Sequence, residues 1–197
     1  MKNTKERLIL GAFKLFLFNN FEKVTIADIE KETGVSRGSI FYYVESKEDL
    51  FIKVVDKFIF EAQSLKQKMN TNDYKTFEEF IQKYVAGINR TMAEMLSLSI
   101  VNIYKHYFNF IIQADKYYPN FKEKLNQLLV KENAIWKEII VHSIETKELK
   151  KDIDVDYTIM QFRSVFLGLA FEQSFFYGLE TNQLMRYYQY IYKKIKA

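Results

Sequence analysis

The segment SRGSIFYY, at residues 36–43, brings together hydrogen-bond donors of the kind that bind nucleic acid. Arg37 can pair with guanine or with a phosphate, and the serine and tyrosine hydroxyl groups can donate to phosphate oxygens. Gly38 places bare backbone among them, where another molecule can approach closely. A glycine inside a helix lowers helix stability by about 1 kcal/mol relative to alanine. A helix with a purely structural role therefore has no reason to carry one. These residue types predict contact with a DNA duplex.

Repeated capping signals around this segment predict two short helices joined by a tight turn. Thr25 can cap the first helix with Asp28 three residues later, and Gly34 suits its left-handed end. Ser36 can cap the second helix and Ser46 a third. This is a helix-turn-helix arrangement, whose second helix enters the major groove in DNA-binding proteins. The alternative is a helix-turn-helix that serves only as a structural corner, because caps alone fit both interpretations.

Residues 8 to about 50 resemble the N-terminal domain of the TetR/AcrR family of bacterial transcriptional regulators. The matching segments are RLILGAFKLF, VTIADIEKETGVSRGSIFYYV and ESKEDLF, in this order and spacing. Beyond them the resemblance is diffuse. It implies that the positions that meet DNA are Thr25, Ser36, Arg37, Gly38, Ser39, Tyr42, Tyr43 and Lys47.

Three positions depart from the family pattern. Glu30 and Thr33 stand where alanines are usual, and Phe41 replaces a frequent tyrosine. A glutamate facing the second helix is costly to bury without a partner, so we expect Glu30 to turn outward or to meet a basic partner. Ile40, Phe41 and Val44 form the apolar side of the second helix, and we assign them to the core.

The composition predicts an all-α protein, long enough at 197 residues for one large or two small domains. Hydrophobic residues make up 48% of the chain, with 18 Phe and 14 Tyr but only one Pro and six Gly. Residues 1–60 hold 10 basic and 9 acidic side chains, so bulk charge does not argue for nucleic acid. The absence of cysteine excludes disulfides and thiolate metal sites. We expect neither a metal nor a cofactor.

The amino end has a charged start followed by LILGAFKLFLF, which superficially suggests a signal peptide. Lys14 interrupts the apolar run, and no small-residue cleavage site follows. The apolar spacing instead predicts an amphipathic helix, and no run reaches the roughly 18 apolar residues of a membrane span. We therefore expect a cytoplasmic protein that does not enter a membrane.

Apolar periodicity predicts nine or ten helices in two domains, a DNA-binding head at residues 1–46 and a body at residues 47–197. The head contains three helices. A helix from Ser46 to about Met69 would link it to the body, with a break at residues 71–73. Gly178 is a predicted helix end and Thr181 the N-cap after it. The other helices are predicted at residues 4–18, 75–93, 120–146, 156–176 and 182–196, with unplaced breaks within 94–118.

The family resemblance implies a C-terminal domain that dimerises through its two long helices, here near residues 122–146 and 156–177. Small residues would permit close helix approach, and phenylalanines would supply apolar area. The predicted interface residues are Phe162, Phe166, Gly168, Ala170, Phe171, Ser174 and Phe175. The alternative is that the phenylalanines fill the core of a single chain. We favour the dimer because two-fold operators need two reading heads about 34 Å apart.

The resemblance also implies an effector pocket in the body, and aromatic density over residues 80–118 favours an apolar or aromatic ligand. His106, Asn109 and Gln113 are candidate polar anchors. Ordinary core packing explains each residue equally well. The predicted pocket residues are Tyr84, Met92, Met95, Tyr104, His106, Tyr107, Phe108, Phe110 and Phe166.

These features predict a homodimeric, ligand-responsive transcription regulator, in which a lipophilic or aromatic small molecule releases a repressor from double-stranded operator DNA. An activator of the same family, or a regulator controlled by a protein partner, fits the same residues. A helical carrier or an enzyme that does not act on DNA is the alternative of a different class. No nucleophile–base pair, metal-ligand spacing or phosphate-binding loop is present in the sequence, so we predict no enzymatic activity.

Overall fold

Nine α-helices make up the part of the chain that the computed structural model describes, residues 3–62, 74–98 and 103–197. A 3-10 turn, Phe21–Lys23, separates the first two helices, and a π-helix, Asp56–Glu61, continues the fourth. These described residues contain no strand, which confirms the predicted all-α class. The helices are α1 (Thr4–Phe18), α2 (Ile26–Thr33), α3 (Arg37–Tyr43), α4 (Lys47–Val55), α5 (Phe77–Leu96), α6 (Ile103–Tyr117), α7 (Phe121–Glu145), α8 (Val155–Ser174) and α9 (Thr181–Ile195).

The predicted helix bounds lie within a few residues of those in the structure. Helix α1 spans residues 4–18 as predicted. The predicted 75–93 helix begins at Phe77 instead, because the Thr76 side chain caps it by accepting the Glu79 N–H at 3.1 Å. Within residues 94–118, α5 ends at Leu96 and α6 begins at Ile103. The predicted stretch up to Met69 and the break at 71–73 lie outside the described residues.

The predicted N-cap at Thr181 is wrong. Glu180 occupies that position, and Thr181 is the first residue of α9. The Thr181 hydroxyl donates to the Asn89 side-chain oxygen at 2.6 Å instead, which ties α9 to α5. Gly178 adopts the left-handed backbone predicted for it, with a φ of +87°. Of the described helices, none combines the length and apolar composition that a membrane crossing requires.

By their contacts, the residues form two compact units. The first contains α1 to α4 together with Lys105–Leu125, and the second contains α5, most of α7, α8 and α9. The predicted boundary between residues 46 and 47 does not coincide with this division. Helices α4 and α6 pack with the first three helices because their aromatic side chains share one core.

Four fully buried phenylalanines form the centre of the first unit: Phe13, Phe16, Phe51 and Phe110. Phe51 of α4 meets Phe16 of α1 edge-on, with ring centroids 5.0 Å apart. Phe110 of α6 meets Phe13 and Phe51 edge-on, at 5.4 and 5.8 Å. Edge-to-face pairs contribute about 0.5–1.5 kcal/mol each beyond their burial. Helix α6 is therefore part of the same core as the helix-turn-helix.

Trp136 on α7 lies at the centre of the second unit, where aromatic rings from α5 and α8 surround it. Phe162 of α8 is fully buried there, with its ring centroid 5.4 Å from that of Trp136. At the edge of this core, the Glu148 carboxylate accepts the N–H groups of Phe77 and Glu78 at 2.8 and 3.1 Å. A carboxylate is stabilised at this place, the N-terminus of α5, by the unpaired amides and the helix dipole.

Gly11 on α1 lies directly against Thr33 at the end of α2. A Cβ atom added to Gly11 would stand 2.4 Å from the Thr33 methyl carbon, far inside normal contact distance. Thr33 is buried, and its hydroxyl donates to the Ile29 carbonyl at 2.6 Å, which fixes the side chain in place. The close packing of α1 on α2 therefore requires glycine at position 11.

Replacement of Gly11 by alanine should lower the free energy of unfolding by about 1–2 kcal/mol. Overpacking against Thr33 costs about 1–3 kcal/mol, and the better helix propensity of alanine offsets up to about 1 kcal/mol of that. Urea denaturation measures the difference. The added change Thr33→Ser removes the clashing methyl group and keeps the hydroxyl, so it should restore most of the loss.

The matched control is Gly38→Ala in α3, where a new Cβ meets nothing within 4 Å. That variant should be no less stable than the unaltered protein. If Gly11→Ala were equally harmless, the close packing of α1 on α2 would be refuted.

Candidate nucleic-acid interface

Helix α3 is anchored on one side only. Ile40 and the following cap residue Val44 are buried, whereas Tyr42 is 82% exposed. Arg37, Gly38 and the other residues of the first turn are also exposed. Residues four apart share a helix face, so the pair Ile40 and Val44 fixes α3 to the unit and turns the rest of its surface to solvent.

Phe41 does not belong to the core, contrary to the sequence prediction. Its side chain is 42% exposed, because one residue beyond Ile40 is a rotation of about 100° around the helix. The Arg37 guanidinium carbon lies 5.8 Å from the centroid of the Phe41 ring, a cation–π distance. Phe41 therefore supports Arg37 on the exposed side of α3.

The N-terminus of α2 carries the predicted capping box. Asp28 accepts from the backbone N–H of Thr25 at 2.9 Å and from its hydroxyl at 2.6 Å, and the hydroxyl accepts the Asp28 N–H at 3.2 Å. These hydrogen bonds from Thr25 lower the pKa of the Asp28 carboxyl. Since the hydroxyl hydrogen of Thr25 is used inside the box, this predicted contact residue offers DNA a helix N-terminus rather than a hydroxyl donor.

The N-terminus of α3 is capped as predicted by Ser36, whose hydroxyl oxygen accepts the Ser39 N–H at 3.4 Å. The Ser36 hydroxyl donates to the Ser39 hydroxyl oxygen at 3.0 Å, which leaves the Ser39 hydrogen free to point outward. Further along the helix, the rings of Tyr42 and Tyr43 meet edge-on at 5.1 Å. Both ends of α3 thus carry hydroxyl groups at the exposed surface.

Glu30 meets the backbone of a basic residue rather than its side chain. Its half-buried carboxylate accepts the N–H of Arg37, the first residue of α3. Sequence analysis expected an outward position or a basic partner, and neither describes this contact. The only sequence signal for this contact is that a glutamate replaces the alanine usual at this position.

Lys47 lies at the N-terminus of α4, but part of its bonding capacity is used within the protein. Its ammonium donates to the Phe21 carbonyl at 2.9 Å and lies 4.3 Å from the centroid of the Phe21 ring. An ammonium has three donors, so two remain for another partner. The contact fixes the position of the ammonium on the 3-10 turn.

Gln113 of α6 holds that same turn from the other side. Its buried side-chain oxygen accepts the Phe21 N–H at 2.8 Å, and its amide nitrogen donates to the Phe16 carbonyl at 3.2 Å. Gln113 was a candidate anchor for an effector, but both ends of its amide are engaged with the first unit. Nothing in the sequence signalled these contacts, because Gln113 is 92 residues from Phe21.

All eight predicted DNA-contact residues belong to the first unit, on α2, α3 and α4 or at their N-caps. Among the described residues, no carboxylate forms an ion pair with Arg37, which leaves its guanidinium to the Phe41 ring and to solvent. The unit therefore presents one helix with an unpaired cation, exposed hydroxyl groups and bare backbone at Gly38.

The nine predicted pocket residues are divided between the two units. Four of the five from α6, at positions 106, 107, 108 and 110, belong to the first. Phe110 lies in its aromatic core, and the Tyr107 hydroxyl donates to the Phe58 carbonyl at 2.7 Å. The His106 ring lies 4.5 Å from that of Phe18. His106, Tyr107 and Phe110 therefore have packing roles in the first unit. The five in the second unit are Tyr84, Met92, Met95, Tyr104 and Phe166.

Two tyrosines of the second unit have phenol groups shielded from solvent. Burial raises the pKa of Tyr84, which packs against Trp136 with ring centroids 5.1 Å apart. The Tyr104 hydroxyl is also inaccessible to solvent and, within the described part of the chain, has no hydrogen-bond partner. The Tyr104 ring lies against Gly178, where a Cβ would approach it to 2.2 Å.

Two of the seven predicted interface residues are not at the surface of the second unit. Phe162 lies in the Trp136 core, and Ser174 is buried with its hydroxyl donating to the Phe171 carbonyl at 2.7 Å. Phe166 and Ala170 are half-buried, and Gly168 is exposed. Sequence analysis named only Phe171 and Phe175 of an exposed apolar stripe that runs along α8 to its C-cap. The stripe consists of Tyr157, Met160, Leu167, Phe171 and Phe175. Their spacing of three, seven, four and four residues was the available signal.

Sequence comparison gives consistent relatives. Residues 8–54 match the profile described as bacterial regulatory proteins, tetR family. The uncharacterized HTH-type transcriptional regulator YerO of Bacillus subtilis (strain 168) is 32% identical over 79 residues, 40% of this chain and 25% of that protein. The HTH-type transcriptional repressor AcnR of Corynebacterium glutamicum is 36% identical over 50 residues, 25% of this chain and 27% of that protein.

The longest of these matches is weaker in identity. The fatty acid metabolism regulator protein of Bacillus subtilis (strain 168) is 24% identical over 158 residues, 76% of this chain and 72% of that protein. In contrast, the chain spans only about a quarter of the length of YerO and of AcnR.

Structure comparison extends the likeness to the whole fold. The crystal structure of a TetR family transcriptional regulator from Cytophaga hutchinsonii superposes with a TM-score of 0.73, over 98% of this chain and 95% of that one. The two sequences are 16% identical, so the superposition bears on the fold alone. Residues 8–54 are thus similar to the DNA-binding domain of TetR-family regulators, and the chain as a whole has the fold of a TetR family transcriptional regulator.

Proposed function

We propose that the protein is a homodimeric transcription repressor of the cytoplasm that binds operator DNA through α3 and is released by a small molecule. It acts by binding and not as an enzyme. The observation that carries this proposal is the outward surface of α3, with an unpaired Arg37 and an almost fully exposed Tyr42. The curated relative AcnR is a repressor by name, which supports the same direction of control.

Gly38 supports an external partner over a purely structural corner. A Cβ at this position would meet nothing within 4 Å, so packing inside the protein does not require glycine there. The glycine lies between Arg37 and Ser39, at the end of the helix that reads base edges in helix-turn-helix proteins. Close approach of a duplex backbone explains the missing side chain.

The exposed stripe of α8 supports the homodimer. Its large apolar side chains follow one another at three, four or seven residues, one or two steps of the 3.5-residue spacing at which two helices pack along a seam. On α7, Val130 and Val141 are exposed as well. Two copies that bury these faces against each other would form a two-fold pair, as a two-fold operator requires.

The effector is proposed to be lipophilic or aromatic and to bind in the second unit. The five predicted pocket residues there are aromatic or methionine side chains, which suit an apolar ligand. A relative whose match covers 76% of this chain is a fatty acid metabolism regulator by name, which supports the same chemistry. Such a ligand releases the repressor only by binding the DNA-free conformation more tightly than the DNA-bound one.

Replacement of Arg37 or Tyr42 by alanine should weaken operator binding by about 5- to 100-fold, the effect of losing about 1–3 kcal/mol at a base or phosphate contact. Both side chains are exposed, so the melting temperature should not change. Gel shifts with the DNA flanking the protein's own coding region measure the affinity. Arg186→Ala and Tyr190→Ala, which alter exposed residues of α9, are the matched controls.

Unaltered affinity in both α3 variants would remove this site. A protein that shifts no duplex at all would instead favour the carrier or the enzyme.

Replacement of Leu167 or Met160 by glutamate should convert the dimer into a monomer of 23.6 kDa. Each change places a charge within an apolar seam, and burying an unpaired charge is strongly unfavourable. Light scattering after size exclusion measures the mass. Ile112→Glu, on an exposed residue of α6 outside the stripe, should leave the mass unchanged. Dimeric mass in both stripe variants would place the interface elsewhere.

A further inference from the structure

We propose that Glu30 and Thr33 together hold the turn between α2 and α3, and that this turn clamp sets the orientation in which α3 reads the operator. The inference rests on the proposed DNA binding and assigns operator discrimination to two residues that do not themselves lie on α3. Both act through the backbone of the turn, so they are positioning residues rather than contact residues.

Glu30 fixes both ends of the turn. Its backbone carbonyl accepts the N–H of Gly34, where α2 ends in the left-handed conformation, at 2.8 Å. Its carboxylate accepts the N–H of Arg37, where α3 begins. One residue of α2 therefore ties the last residue before the turn and the first residue after it.

Thr33 holds the middle of the turn. Its hydroxyl donates to the Ile29 carbonyl at 2.6 Å and accepts the Val35 N–H at 3.1 Å. The side chain is buried, and the Gly11 backbone leaves just enough room for its methyl group. With both contacts satisfied in a buried place, breaking either one leaves an unpaired group and costs the full desolvation of that group.

Helix α3 needs this support because it has little of its own. It is seven residues long, and an isolated helix of that length is unstable. Only Ile40 and the cap residue Val44 anchor it by burial. Two anchors on one face leave rotation about the helix axis weakly restrained, whereas hydrogen bonds at Gly34, Val35 and Arg37 restrain where the helix starts and how it is directed.

A positioning role differs measurably from a merely structural one. Base-edge contacts need a correct helix orientation, whereas phosphate contacts tolerate small rotations and supply most of the binding to unrelated sequences. Loosening the clamp should therefore reduce operator affinity and leave affinity for unrelated DNA unchanged. A head that simply unfolds would lose both.

The test compares Glu30→Ala with Glu30→Gln, which keeps an oxygen acceptor, and with Thr33→Val, which keeps the shape but lacks the hydroxyl. The probes are a duplex selected from a random pool by the unaltered protein and a scrambled duplex of the same length. For Glu30→Ala and Thr33→Val we expect about tenfold weaker operator binding, the effect of one lost hydrogen bond to a buried or charged group. Binding to the scrambled duplex and the salt dependence of binding should stay unchanged. Glu30→Gln should keep both affinities.

Amide hydrogen exchange in the DNA-free protein is the second measurement. Exchange at Arg37 should accelerate in Glu30→Ala, and exchange at Val35 should accelerate in Thr33→Val, while Ile40 stays protected in both. Arg37→Ala is the reference for loss of a direct contact.

Three results would overturn the clamp. Glu30→Ala could bind both duplexes like the unaltered protein although Arg37→Ala does not, which refutes the clamp and leaves the proposed function standing. Equal losses on both duplexes with a lower melting temperature would show a structural role only. Glu30→Gln behaving like Glu30→Ala would show that charge matters and not the accepted hydrogen bond. If no duplex were selected, the proposed function would fail, and the exchange rates at Arg37 and Val35 would still decide whether the clamp holds the turn.

Discussion

The buried amide of Gln113 joins α6 to elements that position the predicted DNA-contact residues. It accepts the N–H of Phe21 and donates to the Phe16 carbonyl, and the Phe21 carbonyl in turn accepts from Lys47. Since a buried amide that loses its partners is costly, neither element can shift alone. The end of α1, the 3-10 turn and the start of α4 therefore keep a fixed relation to α6. Phe21 therefore links Gln113 of α6 to Lys47 of α4.

The aromatic core explains why α6 lies with the helix-turn-helix. A segment of 46 residues buries a small share of its surface and is only marginally stable by itself. Phe51 of α4 and Phe110 of α6 complete the core that Phe13 and Phe16 begin. The π-helix after α4 is held in the same unit, where Tyr118 donates to Asp56 at 2.7 Å. The compact unit is thus larger than the head predicted at residues 1–46, because it also includes Lys105–Leu125.

Local interactions were predictable from the sequence, and distant ones were not. The caps at Thr25 and Ser36 and the left-handed Gly34 depend on residues within four positions of one another. In contrast, Glu148 meets Phe77 across 71 residues, and no pattern in the chain indicates that pair. The prediction that Phe41 is buried was wrong for a different reason. Its apolar side chain next to Ile40 reads as core, but the helix rotation places it on the exposed side, where it supports Arg37. Hydrophobicity alone therefore does not predict the burial of an aromatic residue that packs against an exposed cation.

Helix α8 shows the same ambiguity on a larger scale. It is apolar around much of its circumference, so periodicity cannot say which residues fill the core of one chain and which remain at its surface. Phe162 packs on Trp136, whereas Leu167 and Phe171 are about half exposed. The core of a single chain accounts for the first face only. A row of large apolar groups in water is unfavourable unless another surface covers it. The core of a single chain thus accounts for Phe162 on one face of the helix, and the exposed face is the one that a second copy would cover in the proposed homodimer.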